Sequence, residues 1–216
     1  MRVEEERQTR GRERQAWLER QIDQAGIERR FQGKTLENYL AESDGQAKAL
    51  KVARRYLDSL AQRIFGGDCL VFCGGPGTGK SHLIAGIISG AIQAGRTAAY
   101  LSVYDLILMA RSTYGRGDST LKELLGPLFE VDLLALDEVG AKVGSEDGML
   151  IATIIDSRYA RQKPTLVATN LAPSALEEYI GARLFDRLLE GKGVVVPFDW
   201  PSHRRRRALS PAREGA

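Results

Sequence analysis

The sequence predicts an α/β fold in which a five-stranded parallel sheet is flanked by helices on both faces. Short apolar runs alternate along the chain with segments whose apolar residues recur at helical spacing. One run, Val131 to Leu136, is almost wholly apolar, as expected of a strand that is buried on both faces. A glycine-rich stretch follows the first run and leads into a helical pattern, which predicts a strand, a loop and a helix in succession.

Capping and turn residues set the predicted boundaries of the helices. Ser43 and Gln46 form an S-x-x-Q capping pattern, after which the apolar spacing from Leu50 to Leu60 predicts one helix. Gly126-Pro127 is expected to interrupt the chain after a short helix. The expected strands are 70–73, 98–101, 131–136, 165–169 and 194–196, and the later helices are near 80–94, 102–113, 146–162, 173–180 and 182–189.

Composition bounds the class of protein. The chain has 216 residues, of which 43% are hydrophobic and 27% charged, and its net charge is +3; these values are typical of a soluble protein with one core. No apolar run approaches the length of a membrane span, and the first residues lack the apolar stretch of a secretory signal, so we expect a cytoplasmic protein. Cys69 and Cys73 lie four residues apart, which predicts burial on one strand face rather than a zinc site.

The sequence divides into four segments. Residues 1–30 are dense in charged residues and predict a helical arm that either docks on a partner or stays a solvated helix. Residues 31–45 read as a linker, and residues 46–200 as the α/β core. Residues 201–216 form a basic tail that includes Arg204 to Arg207; it either contacts phosphates or remains a solvated end.

Residues 74–81 match the pattern G-x-x-x-x-G-K-[ST], between an apolar strand and a helix. Glycines there let backbone N–H groups surround a phosphate, and the helix N-terminus adds positive potential. Lys80 is expected to reach the β- and γ-phosphates and Ser81 to hold Mg²⁺; the alternative is a glycine turn without a ligand. The predicted contacts of a nucleoside triphosphate are Gly74, Gly75, Pro76, Gly77, Thr78, Gly79, Lys80, Ser81 and His82.

Polar side chains end two later strands of the predicted sheet. Asp137 follows the apolar run 131–136, where Mg²⁺ needs a second protein contact, and Glu138 can polarise a water molecule toward the γ-phosphate. Asn170 follows the next strand and either orients that water, senses the γ-phosphate or serves as a turn residue. The alternative for the two acids is that they are ordinary surface residues.

Two arginines lie four residues apart on one predicted helix face. Arg183 or Arg187 could reach the nucleotide of a neighbouring subunit as an arginine finger, a device worth orders of magnitude in rate. The alternative is a pair of surface salt bridges.

These motifs, in this order, resemble those of AAA+ ATPases. The finer resemblance is to the DnaC-type bacterial helicase loaders and the related transposition helper ATPases of the IstB type, and it covers roughly residues 30–205. The resembling segments are Arg30-Phe31 with Thr35 to Tyr39, Gly77 to Leu83, Val131 to Gly140, Lys163 to Asn170, Gly181 to Leu188 and Phe198 to Trp200.

The resemblance implies an ATP- and Mg²⁺-binding core without a C-terminal helical lid, which forms a helical or ring-shaped homo-oligomer. In the loaders the linker before the core helps to enclose the adenine, so Phe31, Leu36 and Tyr39 become candidate contacts. Arg183 occupies the arginine-finger position of the family.

The resemblance also implies that single-stranded DNA is bound along the inner face of the assembly. Tyr114 lies where the loaders carry an aromatic for this purpose, and Ser145 falls at a matching contact position. Arg111 and Arg116 flank Tyr114 and would hold phosphates while a base stacks on the ring. Asp147, in contrast, stands where a second aromatic is expected, and its carboxylate would repel the DNA backbone.

Three functions remain open at this point. The first is an ATPase that loads a replicative DNA helicase onto single-stranded DNA, and the second is a transposition helper that binds duplex DNA and a transposase. The third is an ATP-gated adaptor that does not hydrolyse ATP and docks through residues 1–30. A small-molecule kinase would need an acceptor pocket and a lid, and no segment of the sequence supplies either.

Overall fold

The computed structural model describes residues 25–113, 118–141 and 147–205 of the chain. A 3₁₀ turn at Arg29–Phe31 precedes the regular elements. The helices are α1 (Asp44–Asp58), α2 (Leu60–Gly66), α3 (Lys80–Gln93), α4 (Val103–Ser112), α5 (Asp118–Glu130), α6 (Asp147–Ala160), α7 (Pro173–Ile180) and α8 (Ala182–Leu189). The strands are β1 (Leu70–Gly74), β2 (Ala98–Ser102), β3 (Leu133–Val139), β4 (Thr165–Thr169) and β5 (Val194–Phe198).

The five strands form one parallel sheet in the order β2-β3-β4-β1-β5. This arrangement confirms the predicted fold, a parallel sheet flanked by helices. Because all strands run the same way, the ends of β1, β3 and β4 meet at one edge of the sheet. The glycine-rich loop, the two acids and Asn170 are thereby placed side by side.

Side chains alternate between the two faces of the sheet and build a core on each. Phe72 of β1 points to the face covered by α1 and α3, whereas its neighbours Val71 and Cys73 pack on the opposite face. Cys69 and Cys73 are both buried thiols in that second core, which confirms the prediction of buried packing. Burial raises the pKa of each thiol to about 11.

Two helix predictions were wrong. The helical stretch predicted up to Leu60 is divided at Ser59, whose hydroxyl donates to the carbonyl of Arg55 at 2.6 Å and competes with the backbone ladder. Gly126-Pro127 does not interrupt the chain but lies inside α5. A proline this close to the end of a helix removes a single hydrogen bond, and the side chain of Arg158 then caps the last carbonyls of α5.

The third strand begins and ends later than its apolar run indicated. It spans Leu133–Val139, so Asp137 and Glu138 belong to the strand instead of following it. The pairing with β4 shifts between Leu136 and Val139, and Glu138 has a φ of 60°. Because of this irregularity, the Asp137 carboxylate is buried, whereas the Glu138 carboxylate is partly exposed.

In the described part of the chain, no helix combines the length and the apolar character needed to cross a membrane. Residues 1–24 of the N-terminal arm and residues 206–216 of the basic tail lie outside the described residues.

Candidate nucleotide site at the carboxyl edge of the sheet

The glycine-rich loop leaves β1 through a conformation that requires glycine. Gly74 has a φ of 138°, and a Cβ there would lie 2.2 Å from the carbonyl oxygen of Phe198. Gly79 has a φ of 101°, and a Cβ there would lie 2.9 Å from the ring of Tyr39. The loop is therefore held closely between β5 and the linker before the core, and α3 begins directly after it at Lys80.

The ammonium group of Lys80 lies under this loop. Its Nζ donates to the carbonyls of Gly74 at 2.5 Å and Gly75 at 2.7 Å, and to Oδ1 of Asn170 at 3.0 Å. Burial lowers the pKa of Lys80, while the nearby Asp137 carboxylate acts in the opposite direction. Lys80 is only 6% exposed, yet it borders a cavity over the loop, so its donors can exchange carbonyl partners for an anion in that cavity.

Asp137 is held from two sides. Its Oδ2 accepts a 2.5 Å hydrogen bond from the hydroxyl of Tyr100, and its Oδ1 accepts from the backbone N–H of Glu138 at 2.8 Å. The side chain of Ser81 also lies within hydrogen-bonding reach of the Tyr100 hydroxyl. The hydroxyl of Ser81 and the carboxylate of Asp137 thus line the same cavity, and both are hard oxygen ligands of the kind that Mg²⁺ prefers.

Tyr100 is a site residue that the sequence analysis missed. Burial, followed by the Asp137 carboxylate, raises the pKa of Tyr100 well above its usual range, so the hydroxyl remains a proton donor. A single tyrosine in a short strand has no distinguishing pattern. Only the register of β2 against β3, which a sequence does not show, brings Tyr100 to Asp137.

Glu138 faces the cavity from the irregular turn of β3 and is far less buried than Asp137, with a side chain 45% exposed. Burial and the neighbouring Asp137 charge raise its pKa, and Arg30 acts against this shift from 3.9 Å away. The Glu138 carboxylate is exposed to the cavity and lies beside Asp137, a proposed magnesium ligand, so it can contact a water molecule there.

A cavity of about 450 Å³ lies over the loop, between the linker and the carboxyl edge of the sheet. Gly77 to His82 line it, as do Asp137, Glu138 and Asn170, whereas Gly74, Gly75 and Pro76 do not. The predicted magnesium and water contacts therefore share one cavity with the later part of the predicted phosphate loop. Among the three residues proposed to enclose adenine, Phe31 and Tyr39 line the cavity. Leu36 is 2% exposed, packs against Gly86 of α3 and does not line the cavity, so the structure does not bring it together with the other two.

The linker is fixed onto α3 by a histidine. Nε2 of His82 lies 2.9 Å from both the carbonyl of Thr35 and Oδ1 of Asn38, and its ring meets the ring of Tyr39 edge-on at 5.1 Å. Burial lowers the pKa of His82, so the neutral form with Nε2–H as donor predominates at neutral pH. His82 therefore shapes the wall beside the loop.

The chain after β5 clasps the loop from the other side, which the sequence analysis did not anticipate. The indole N–H of Trp200 donates to the carbonyl of Thr78 at 2.8 Å, and the backbone N–H of His203 donates to the carbonyl of Gly77 at 2.9 Å. Arg204 lines the cavity, and its charge contributes to lowering the pKa of Lys80. The alternation of Phe198 and Trp200 is the only sequence signal for this clasp.

The two candidate finger arginines lie away from the cavity and share an acid. Arg187 pairs closely with Asp156 of α6, whereas Arg183 lies 3.5 Å from the same carboxylate and its side chain is 74% exposed. Arg187 is half-buried and stacks its guanidinium over the ring of Tyr159. Arg183 is therefore the one whose guanidinium remains available to solvent.

The predicted DNA contacts are mostly outside the described residues. Arg111 is exposed in the last turn of α4. Tyr114, Arg116 and Ser145 lie in the segments that the structure does not describe.

The family model of the IstB-like ATP binding proteins matches residues 1–209. The replicative helicase loader DnaC of Escherichia coli (strain K12) is 32% identical over 190 residues, which cover 88% of this chain and 76% of that protein. DnaC of Buchnera aphidicola subsp. Schizaphis graminum is 33% identical over 190 residues, which cover 87% and 76% of the two chains.

Solved structures share the fold at lower identity. The crystal structure of a DnaC helicase loader matches with a TM-score of 0.70 at 23% identity, covering 79% of this chain and 99% of that one. AMPPCP-bound DnaA from Aquifex aeolicus matches with a TM-score of 0.65 at 24% identity, covering 79% and 50%. The predicted AAA+ core is confirmed, and the chain, which is similar to the DnaC helicase loaders, belongs to the family of IstB-like ATP-binding proteins.

Proposed function

We propose that this protein is a Mg²⁺-dependent ATPase that loads a replicative helicase onto single-stranded DNA. The observation that carries the proposal is the meeting of Lys80, Ser81, Asp137 and Asn170 at one edge of the sheet, beside a single cavity. The similarity to replicative helicase loaders over most of the chain supports the choice of partner.

Each residue of the site has its own role in phosphoryl transfer. The loop N–H groups and Lys80 bind the phosphates, and Lys80 exchanges its carbonyl partners for phosphate oxygens. Ser81 and Asp137 would hold Mg²⁺, which supplies charge neutralisation when bound. Glu138 orients and deprotonates the attacking water, and Asn170, which contacts Lys80, senses the γ-phosphate or orients that water.

Replacement of Glu138 separates hydrolysis from binding. Glu138→Gln should keep ATP affinity but lower the ATPase rate by about a hundredfold or more, because a positioned general base contributes at least that much. Binding is measured by calorimetry and turnover by phosphate release. Glu178→Gln, an exposed acid on α7, is the matched control and should leave both unchanged. Full loading activity in Glu138→Gln would favour the ATP-gated adaptor that needs no hydrolysis.

We also propose that Arg183 acts in trans, in the site of a neighbouring subunit. Its exposure and its long contact with Asp156 leave the guanidinium free to leave this pair, whereas Arg187 is held more closely. Arg183→Ala should therefore spare ATP binding and remove hydrolysis in the assembly.

Mixing variants tests this trans arrangement. Glu138→Gln subunits retain the finger and Arg183→Ala subunits retain the base, so an equimolar mixture of two inactive variants regains about a quarter of the interfaces if subunits mix at random. A mixture as inactive as its components, in assemblies shown to contain both variants, would contradict the trans finger. Arg161→Ala, another exposed arginine near an acid, is the control and should remain active.

The second candidate function is a transposition helper, favoured by the match to the IstB-like family model. The two functions differ in the DNA they need. A loader should bind single strands more tightly than duplex and be stimulated by them, while a helper should prefer duplex. Binding of each DNA form is measured over a range of salt concentrations, because phosphate contacts alone favour any nucleic acid. A duplex preference in the presence of ATP would replace the helicase-loading proposal.

A further inference from the structure

Tyr100 is a buried side chain that contacts a proposed magnesium ligand, Asp137, without being one of the motif residues. It is 1% exposed, lies in the edge strand β2, and its hydroxyl donates to Oδ2 of Asp137 at 2.5 Å. Ser81 lies within hydrogen-bonding reach of the same hydroxyl. The phenol group thus bonds directly to Asp137, one of the two residues that would hold Mg²⁺, and has the other, Ser81, as a neighbour.

The register of the sheet explains how the ring reaches Asp137. Tyr100 pairs with Ala135 of β3, and Asp137 lies two residues further along on the same face. Because alanine is small, the ring of Tyr100 has space to extend along the strand toward the carboxyl edge. The hydroxyl then ends beside the carboxylate.

The ring is held in place from the N-terminal side of the chain. The backbone N–H of Tyr100 donates to the carbonyl of Ala25 at 2.6 Å, and the ring of Phe31 lies 6.4 Å away. Gly26 passes so closely that a Cβ there would lie 2.6 Å from the carbonyl oxygen of Tyr100. Ala25 and Gly26, near the end of the N-terminal arm, therefore cover the edge strand at this residue.

Asp137 has its two oxygens fixed by different donors, Tyr100 on Oδ2 and the Glu138 N–H on Oδ1. With only the backbone bond, the carboxylate could still rotate about its Cβ–Cγ bond. With both bonds its plane is set, and the remaining lone pairs have a defined direction. Ligands oriented in this way by surrounding hydrogen bonds bind metal ions more tightly.

We propose that Tyr100 is a positioning residue that orients Asp137 for the divalent cation. The proposal rests on the proposed function, since it concerns the cation that accompanies the nucleotide. Tyr100 acts through Asp137 and contacts neither substrate nor metal.

Tyr100→Phe tests this role by removing only the hydroxyl. Mn²⁺ is titrated into protein saturated with AMPPCP and followed by electron paramagnetic resonance, which reports metal binding without turnover. The variant should bind Mn²⁺ about tenfold more weakly, the usual effect of losing one charge-assisted or ligand-orienting bond. Its affinity for AMPPCP in the presence of EDTA should remain within about twofold of that of the unaltered protein, because loop and lysine contacts are retained.

Tyr56→Phe is the matched control, since Tyr56 is another buried tyrosine whose hydroxyl donates to a backbone carbonyl, that of Asp68, at 2.9 Å. It should lower stability while leaving Mn²⁺ affinity unchanged. Equal or tighter Mn²⁺ binding by Tyr100→Phe, or an equal loss in Tyr56→Phe, would overturn the positioning role alone. Failure of the unaltered protein to bind AMPPCP at all would overturn the proposed function, and this inference with it.

Discussion

Two buried cations lie at opposite edges of the sheet, and they show how differently a fold can use a positive charge. Lys80 lies at the carboxyl edge under the glycine-rich loop. Arg158 lies at the amino edge, completely buried, and donates to the carbonyls of Leu128 at 2.7 Å, Val131 at 2.9 Å and Pro164 at 2.6 Å. Both donate to neutral oxygens, namely backbone carbonyls and the side chains of threonine and, for Lys80, asparagine.

The difference lies in the geometry of the two groups and in what surrounds them. The guanidinium of Arg158 is a rigid fork whose donors connect the end of α5 to the starts of β3 and β4. The ammonium of Lys80 can rotate, borders the cavity and has one partner, Asn170, that is itself exposed. Burial lowers the pKa of Arg158 to about 10, but this value is still well above 7, so the guanidinium remains charged at neutral pH. One cation is thus locked into the fold, whereas the other can change partners.

The largest effect on stability is expected from Arg158→Met. It leaves the carbonyls of Leu128, Val131 and Pro164, at the end of α5 and just before β3 and β4, without this donor, and we expect the free energy of unfolding to fall by about 3–5 kcal/mol. Denaturant unfolding measures the change. Arg161→Met is the control: that arginine is 43% exposed in an ion pair with Glu130, so the loss should stay below about 1 kcal/mol. Equal stabilities of the two variants would show that Arg158 is not a structural cation.

Arg158 also shows where sequence reasoning stops. The prediction of α6 as a helix was correct, but an arginine in a helix is usually solvated, and nothing local distinguishes one that is completely buried. Its partners are backbone carbonyls, which every sequence contains. The same limitation applies to Pro127, whose helix continues because Arg158, distant in sequence, caps its end.

The candidate site was easier to predict because its signals are local. The glycines, Lys80 and Ser81 are adjacent in the chain, and parallel strands bring their carboxyl ends together, which placed Asp137 and Asn170 beside the loop. Tyr100, Trp200 and the position of Leu36 depended on strand register and on packing between distant segments. Sequence therefore predicted the residues expected to touch the nucleotide better than those that hold them in place.

Lys80→Ala should affect nucleotide affinity rather than stability, the opposite of what is expected of Arg158→Met. Nucleotide affinity should fall by at least about tenfold, because a charge-assisted contact to the phosphates is lost. Stability should change by less than about 1 kcal/mol, since the burial that lowers the pKa of Lys80 already makes its charge costly. Calorimetry with ATP and denaturant unfolding measure the two quantities. Lys192→Ala, an exposed lysine before β5, should alter neither. Unchanged ATP affinity in Lys80→Ala would remove the basis for a phosphate-binding loop.

The smallest effects are expected from the side-chain partners of the two cations, Thr165 and Asn170. Thr165 is 1% exposed and its Oγ1 accepts from Nε of Arg158 at 3.1 Å, so Thr165→Val should cost about 1 kcal/mol of stability and leave ATP binding intact. Asn170→Ala should leave stability within about 0.5 kcal/mol, because the residue is exposed and Lys80 keeps its carbonyls, but it should slow hydrolysis.

In a double-mutant cycle, Arg158→Met and Thr165→Val should couple in stability, whereas Lys80→Ala and Asn170→Ala should couple in nucleotide affinity. The reverse pattern of coupling would mean that the exchangeable cation and the locked cation had been assigned to the wrong edges of the sheet.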